Sequence, residues 1–138
     1  MSQQTIDWLT LTSSAKESAG KAYAPYSKFY VGAAAFTAQG HIVQGCNVEN
    51  ASYGLTTCAE RNCIAQAIIH GEKALTAMVI YTEQEKLTPP CGACRQVIAE
   101  FFEPLANIRA ANHLGDKKQW TVAELLPDAF SPKDLLDK

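Results

Sequence analysis

Four residues in this chain can do metal chemistry together: Cys58, Glu60, Cys91 and Cys94. Cys91-Gly92-Ala93-Cys94 is a Cys-x-x-Cys pair, a spacing that presents two sulfurs to one ion from a tight turn or a first helical turn. Cys58 stands 33 residues before Cys91, so only the fold can bring it to the pair. Three thiolates on zinc leave one tetrahedral position open, the coordination count of a catalytic site; a structural zinc usually has four protein ligands. Glu60, two residues after Cys58, can lie beside such a metal without binding it. Zinc lowers the pKa of a water molecule, and a nearby carboxylate can take that proton and deliver it elsewhere, so the expected chemistry is hydrolysis.

Other readings of the same residues are blander. A lone Cys-x-x-Cys also suits a thiol redox pair, although redox chemistry needs neither Cys58 nor Glu60. Glu60 alone is a first-turn carboxylate favoured by a helix dipole. A fourth protein ligand would close the site. His70 lies about 18 Å from Cys58 along a continuous helix, and Cys63 sits about 140° round it, so neither can share the ion. His41, His113 and Cys46 remain open as a fourth ligand. Cys46 and Cys63 otherwise read as small buried hydrophobes. Arg61 follows Glu60 and Arg95 follows Cys94. Three thiolates give zinc an excess of negative charge, which an arginine can draw off through hydrogen bonds to the sulfurs. The alternative for each is a solvated surface arginine.

The elements that must position these residues are legible as pattern. Ile6, Leu9, Ala15, Ala19 and Ala22 recur at helical spacing, which predicts a helix over about Thr5 to Ala22, ended by Pro25. Residues 29–37 and 41–48 flank Ala38-Gln39-Gly40 and predict a β-hairpin. A helix from Thr57 or Cys58 to His70 has Gly71 where a C-terminal cap belongs. Residues 77–82 read as a buried strand. Pro89-Pro90 precedes a third helix from Cys91, carrying Val97, Ile98, Phe101 and Phe102 up to Pro104. Strands are predicted over 107–112 and 120–122. Strands alternating with helices imply a sheet with parallel members, the hairpin being its antiparallel part. A strand between the Cys58 and Cys91 helices makes a βαβ-like crossover, which gathers helix N-termini at one sheet edge. Thiolates are favoured at such N-termini.

Composition sets the bounds. A chain of 138 residues, 47% hydrophobic and 19% charged, predicts one domain over residues 1–138 with a core that needs no disulfide. Five cysteines are an odd number. Met1-Ser2-Gln3-Gln4-Thr5 shows no basic segment leading into an apolar core, so no secretory leader is expected. Together these predict reduced thiols and a cytoplasmic protein. No apolar run reaches the roughly 18 residues of a membrane span. Twelve basic and fourteen acidic residues give a net charge of −2, against the basic footprint of a nucleic-acid binder.

The chain resembles the cytidine deaminases, of the small type in which three cysteines hold zinc. Cys58-Ala59-Glu60-Arg61 and Pro90-Cys91-Gly92-Ala93-Cys94-Arg95-Gln96 carry the resemblance. It extends to Pro25-Tyr26-Ser27, to residues 29–34 and 45–53, and to Leu125-Leu126-Pro127-Asp128-Ala129-Phe130. The resemblance implies an α/β fold of three layers, α/β/α, around a mixed sheet of about five strands. It implies one zinc per subunit on Cys58, Cys91 and Cys94, with Glu60 moving protons. It also implies Asn47 and Glu49 on the ribose hydroxyls, Phe29 and Phe130 against the pyrimidine, Tyr53 near the sugar, and the backbone at Ala59 on the base edge. The implied substrate is cytidine or 2′-deoxycytidine, with no nucleic-acid or membrane partner. The implied assembly is a homotetramer with sites at subunit interfaces.

Overall fold

The structure, a computed structural model, describes residues 5–136. Four of the five N-terminal residues read above for a leader lie outside the described residues.

Helix α1 spans Trp8–Ala19, shorter at both ends than its apolar periodicity suggests. Asp7 takes the N-cap, accepting from the Thr10 amide at 3.1 Å, and Gly20 takes the C-cap. Strands β1 (Val31–Thr37) and β2 (Ile42–Cys46) form the antiparallel hairpin, with Gly40 at φ +86° in its turn. A 3₁₀ turn at Tyr53–Leu55 precedes α2 (Ala59–Ile69), and His70 caps that helix. Then come β3 (Leu75–Thr82), α3 (Gly92–Phe101), β4 (Phe102–Asn112), β5 (Lys117–Thr121), α4 (Val122–Leu125) and α5 (Pro132–Leu136).

The five strands form one sheet in the order β2-β1-β3-β4-β5. β3 and β4 pair in parallel, and every other neighbouring pair is antiparallel. Alternation along the strands sorts the core into two faces. Met78, Ile80 and Ile108 point to the side covered by α2, α3 and α4, with Ile64, Ile98 and Leu125. Val79, Tyr81, Ala34 and Ala111 point to the side covered by α1, with Leu11 and Ala15. The layers are therefore α/β/α around a mixed five-stranded sheet, as the resemblance implies. No described helix is long and apolar enough to cross a membrane.

Gly45 sets how closely α2 lies on the sheet. A Cβ there would stand 2.5 Å from the Ala59 carbonyl oxygen and 2.3 Å from the Cys63 amide nitrogen. Only a glycine admits this approach, and it places the first turn of α2 directly against β2.

Two strand boundaries differ from the pattern. β4 begins at Phe102, not near Asn107, and runs through Pro104. The ladder to β3 is irregular there, passing from Leu75 opposite Phe102 to Ala77 opposite Asn107. A proline is tolerated in that break because no ladder donor is asked of it. At the far end, Val122 is the first residue of α4 and not part of a strand. Thr121 and Glu124 form a capping box that starts this helix and stops β5.

Candidate active site

Both predicted helix starts carry a cysteine. Cys58 is the N-cap of α2 and Cys91 the N-cap of α3, each in extended backbone and neither spending its side chain on a capping bond. Cys94 lies in the first turn of α3 and is fully buried. The β2–α2–β3–α3 path brings the two N-termini to one edge. The three sulfurs lie within 4.8 Å of one another. Tetrahedral thiolates at roughly 2.3 Å from zinc stand about 3.8 Å apart, so the group has the span for one ion. Its electrostatics suit a cation. Cys58 is pulled down to about 5 by the hydrogen bond from Cys94 and by the Arg61 guanidinium, whose Nη2 donates to its sulfur at 3.5 Å. Cys94, the donor in that pair, is pushed up correspondingly.

Among the described residues no fourth histidine, cysteine or carboxylate joins this group. His41 bonds Glu72 through Nδ1 at 3.0 Å, and the half-buried Cys46 faces the Lys21 carbonyl at 3.7 Å. Cys63 is fully buried with its sulfur on the Val43 carbonyl at 3.4 Å, and burial pushes its thiol well above the ordinary range. The donor set offered by the described residues is three cysteine sulfurs, a set that suits zinc.

Glu60 follows Cys58 into the first turn of α2 and is only 5% exposed. Burial raises its carboxyl to about 7, and the neighbouring Cys58 thiolate adds to the rise. A group at that value can take and give a proton near neutral pH.

The Arg95 guanidinium bonds backbone carbonyls. Its Nε donates to the Pro90 carbonyl at 2.8 Å and its Nη1 to the Leu125 carbonyl at 3.0 Å. Gln96 donates from Nε2 to the Phe130 carbonyl at 2.9 Å, and the Phe130 ring is 58% exposed.

Asn47 and Glu49 both grip the turn that leads into β1. Asn47 Nδ2 donates to the Phe29 carbonyl at 2.7 Å, and Oδ1 accepts from the Val31 amide at 2.9 Å. Glu49 Oε1 accepts from the Tyr26 and Ser27 amides at 3.1 and 3.2 Å, and Oε2 accepts from the Ser27 hydroxyl. That hydroxyl also accepts from the Phe29 amide at 3.0 Å. These bonds lower Glu49 below the usual carboxylate range, the Ser27 hydroxyl most of all. They also hold Lys28 in left-handed backbone at φ +58°. Phe29 is half-buried, while Tyr53 is exposed and meets Tyr26 edge-on at 6.2 Å. Val48 pairs with Thr57 through two backbone bonds at 2.9 and 3.0 Å, setting Asn47 and Glu49 beside the Cys58 segment. Asn62 braces the same junction, donating to the Cys46 carbonyl at 2.8 Å and to Thr57 Oγ1 at 3.0 Å. Ser27 and Asn62 were given no role by sequence. An asparagine inside a helix and a serine two residues before an aromatic in a turn are the available signals.

A metal group on two helix N-termini with a buried carboxylate beside it is the apparatus of a zinc-dependent hydrolytic enzyme. Comparison with known proteins agrees. A family model described as the cytidine and deoxycytidylate deaminase zinc-binding region matches residues 7–105. A cytidine deaminase of Sporosarcina psychrophila is 45% identical over 130 residues, covering 94% of this chain and 96% of the relative. One from Mycobacterium tuberculosis is 43% identical over 136 residues, covering 94% of each. The crystal structure of a cytidine deaminase from Burkholderia pseudomallei superposes with a TM-score of 0.86 at 43% identity, covering 91% of this chain and all of the other. The chain belongs to the cytidine and deoxycytidylate deaminase family, and is an enzyme of the hydrolytic deaminase class.

Proposed function

We propose that this protein converts cytidine and 2′-deoxycytidine, with water, to uridine and 2′-deoxyuridine and ammonia. The observation that carries the reading is the placement of Glu60, buried in the first turn of α2 two residues from Cys58, whose sulfur lies within 4.8 Å of those of Cys91 and Cys94. Cys58, Cys91 and Cys94 would hold one zinc per subunit, which supplies the Lewis acidity that makes a water nucleophilic near neutral pH.

Glu60 accepts the proton of the attacking water as it adds to C4 of the ring. It then protonates N3, and later the departing amine. Burial keeps bulk water from Glu60 during these transfers. Phe29 lies against the pyrimidine, held by the Asn47 bond to its carbonyl. Asn47 and Glu49 take the sugar hydroxyls, a carboxylate accepting and an amide donating or accepting. The Ala59 backbone faces the base edge, and Tyr53 lies near the sugar. Phe130, exposed on its own chain, closes the pocket of a neighbouring subunit in a homotetramer. The single-domain chain acts in the cytoplasm, where its reaction serves pyrimidine salvage.

The test is direct. Zinc-loaded protein is incubated with cytidine and with 2′-deoxycytidine while ultraviolet absorbance is followed and ammonia assayed. Loss of the cytidine band with one ammonia per uridine is the expected result. A zinc-loaded, folded protein that turns over neither nucleoside overturns the reading.

A further inference from the structure

We propose that Arg95 is a positioning residue that locks the metal-binding turn to the C-terminal segment carrying Phe130. The turn before Cys91 is poorly provided with bonds of its own. Pro89 and Pro90 have no amide hydrogens, so this stretch cannot donate to a neighbour and must be held through its carbonyls. Cys91 is exposed and makes no side-chain capping bond. Arg95 meets this need twice. Its amide donates to the Cys91 carbonyl at 2.9 Å, and its Nε donates to the Pro90 carbonyl at 2.8 Å. The Pro90–Cys91 peptide is thereby fixed just where the first α3 sulfur leaves the chain.

The other arm of the guanidinium reaches a second element. Nη1 bonds the carbonyl of Leu125, the last residue of α4, where carbonyls lack helical partners. Five residues further on, Gln96 bonds the Phe130 carbonyl. Consecutive side chains of α3, directly after the Cys94 ligand, therefore hold both ends of residues 125–130. Asp128 turns that segment with left-handed backbone at φ +51°. The planar fork of arginine presents donors in fixed directions to the two carbonyls, whereas a lysine ammonium is a compact charge whose donors rotate freely. Metal retention and the placing of Phe130 are in this way one structural unit with Arg95 at its joint. The zinc part stands on the metal group alone, and the Phe130 part rests on the nucleoside reading above.

The test compares zinc-loaded wild type with Arg95→Ala, Arg95→Lys and Gln96→Ala, reading zinc release to a chromogenic chelator and amide hydrogen exchange. Arg95→Ala is expected to release zinc at least about tenfold faster, the scale of loss when a partner of the ligand shell is removed. Exchange is expected to rise together over 91–94 and 126–130. Arg95→Lys falls between wild type and Arg95→Ala, and carries the test if the alanine variant does not fold. Gln96→Ala, which removes only the bond to the Phe130 carbonyl, is expected to raise exchange over 126–130 and to leave zinc release as in wild type. Unchanged zinc release in Arg95→Ala, exchange rising in one segment alone in that variant, or a lysine variant equal to wild type would each overturn the proposal. Zinc release and exchange involve no substrate, so a failed clamp is distinguishable from a wild type that does not deaminate cytidine.

Discussion

Gly45 and Cys63 meet backbone to backbone, with room for no side chain between β2 and α2. A methyl group at position 45 must push the first turn of α2 off the sheet, and Cys58 and Glu60 move with it. Gly45→Ala is expected to lose about 1–3 kcal/mol of stability, the usual scale of overpacking. Its zinc content should fall as well. Urea unfolding and metal analysis on the same preparation check this; wild-type values in both would mean that α2 shifts without dragging the ligands.

Glu60→Ala removes a proton carrier and no ligand. The variant should fold, keep full zinc, and lose at least about 10²–10⁴ in turnover. Metal stoichiometry decides the matter, because zinc lost along with activity would make Glu60 a ligand.

The zinc-free chain carries a pH signature. Glu60 titrates at about 7 when folded, against 4.5 for an ordinary glutamate. Between those values the folded state binds the extra proton, so this contribution to stability is complete below the lower value and fades as pH rises through the upper. A shift of this size corresponds to something on the order of 3 kcal/mol. Glu60→Gln cannot ionise, so the zinc-free variant should lack the decline between about pH 4.5 and 7. If urea midpoints fall in parallel for both proteins, the decline belongs to other groups.

Arg61 bonds the Cys58 sulfur, whereas Arg95 bonds carbonyls. Without Arg61 the Cys58 sulfur would keep more charge, and a zinc held by it would supply less Lewis acidity. Arg61→Ala is expected to lower kcat more than it raises KM and to move the pH–rate profile to the alkaline side. Arg95→Ala should leave that profile in place. Identical profiles for the Arg61 variant and wild type would return Arg61 to a surface role.

Mixing subunits tests where Phe130 acts. Glu60→Ala chains and Phe130→Ala chains are refolded together and separately. In mixed oligomers a Phe130→Ala subunit keeps its own Glu60 and receives an intact ring from its neighbour, so activity should exceed that of the two separate preparations. Mixed oligomers that form without regaining activity would place Phe130 within its own subunit or in packing alone.

Much of this was legible in the residues. The helix starts at Cys58 and Cys91 follow from turn residues and periodicity, and the alternation of elements around them places both at one sheet edge. The hairpin follows from two apolar runs around Gly40. The β4 extension through Pro104 was hidden because a proline reads as a stop unless the ladder is already known to break there. Helix α4 has four residues, too few for any period, and only the Thr121–Glu124 capping pair marks it. At the site, residue type pointed to Cys58, Glu60, Cys91 and Cys94. Asn47 and Glu49 alone look like a polar turn, and their grip on Phe29 and Ser27 depends on contacts between distant segments. The carbonyl partners of Arg95 were invisible for the same reason, since a backbone carbonyl has no letter in a sequence.

The sulfurs at the two helix starts belong to chain segments 33 residues apart. An ion shared between them closes a loop, so it is a cross-link that a chelator can open and metal supply can close. By the relation used for disulfide loops, closing one of this length restricts the unfolded chain by roughly 3–4 kcal/mol. A zinc held there would do a second job unrelated to water: it would make the lifetime of the folded chain depend on the zinc available when the chain is made. A cell short of zinc would then lose activity twice, first by idle sites and then by faster loss of a less stable chain.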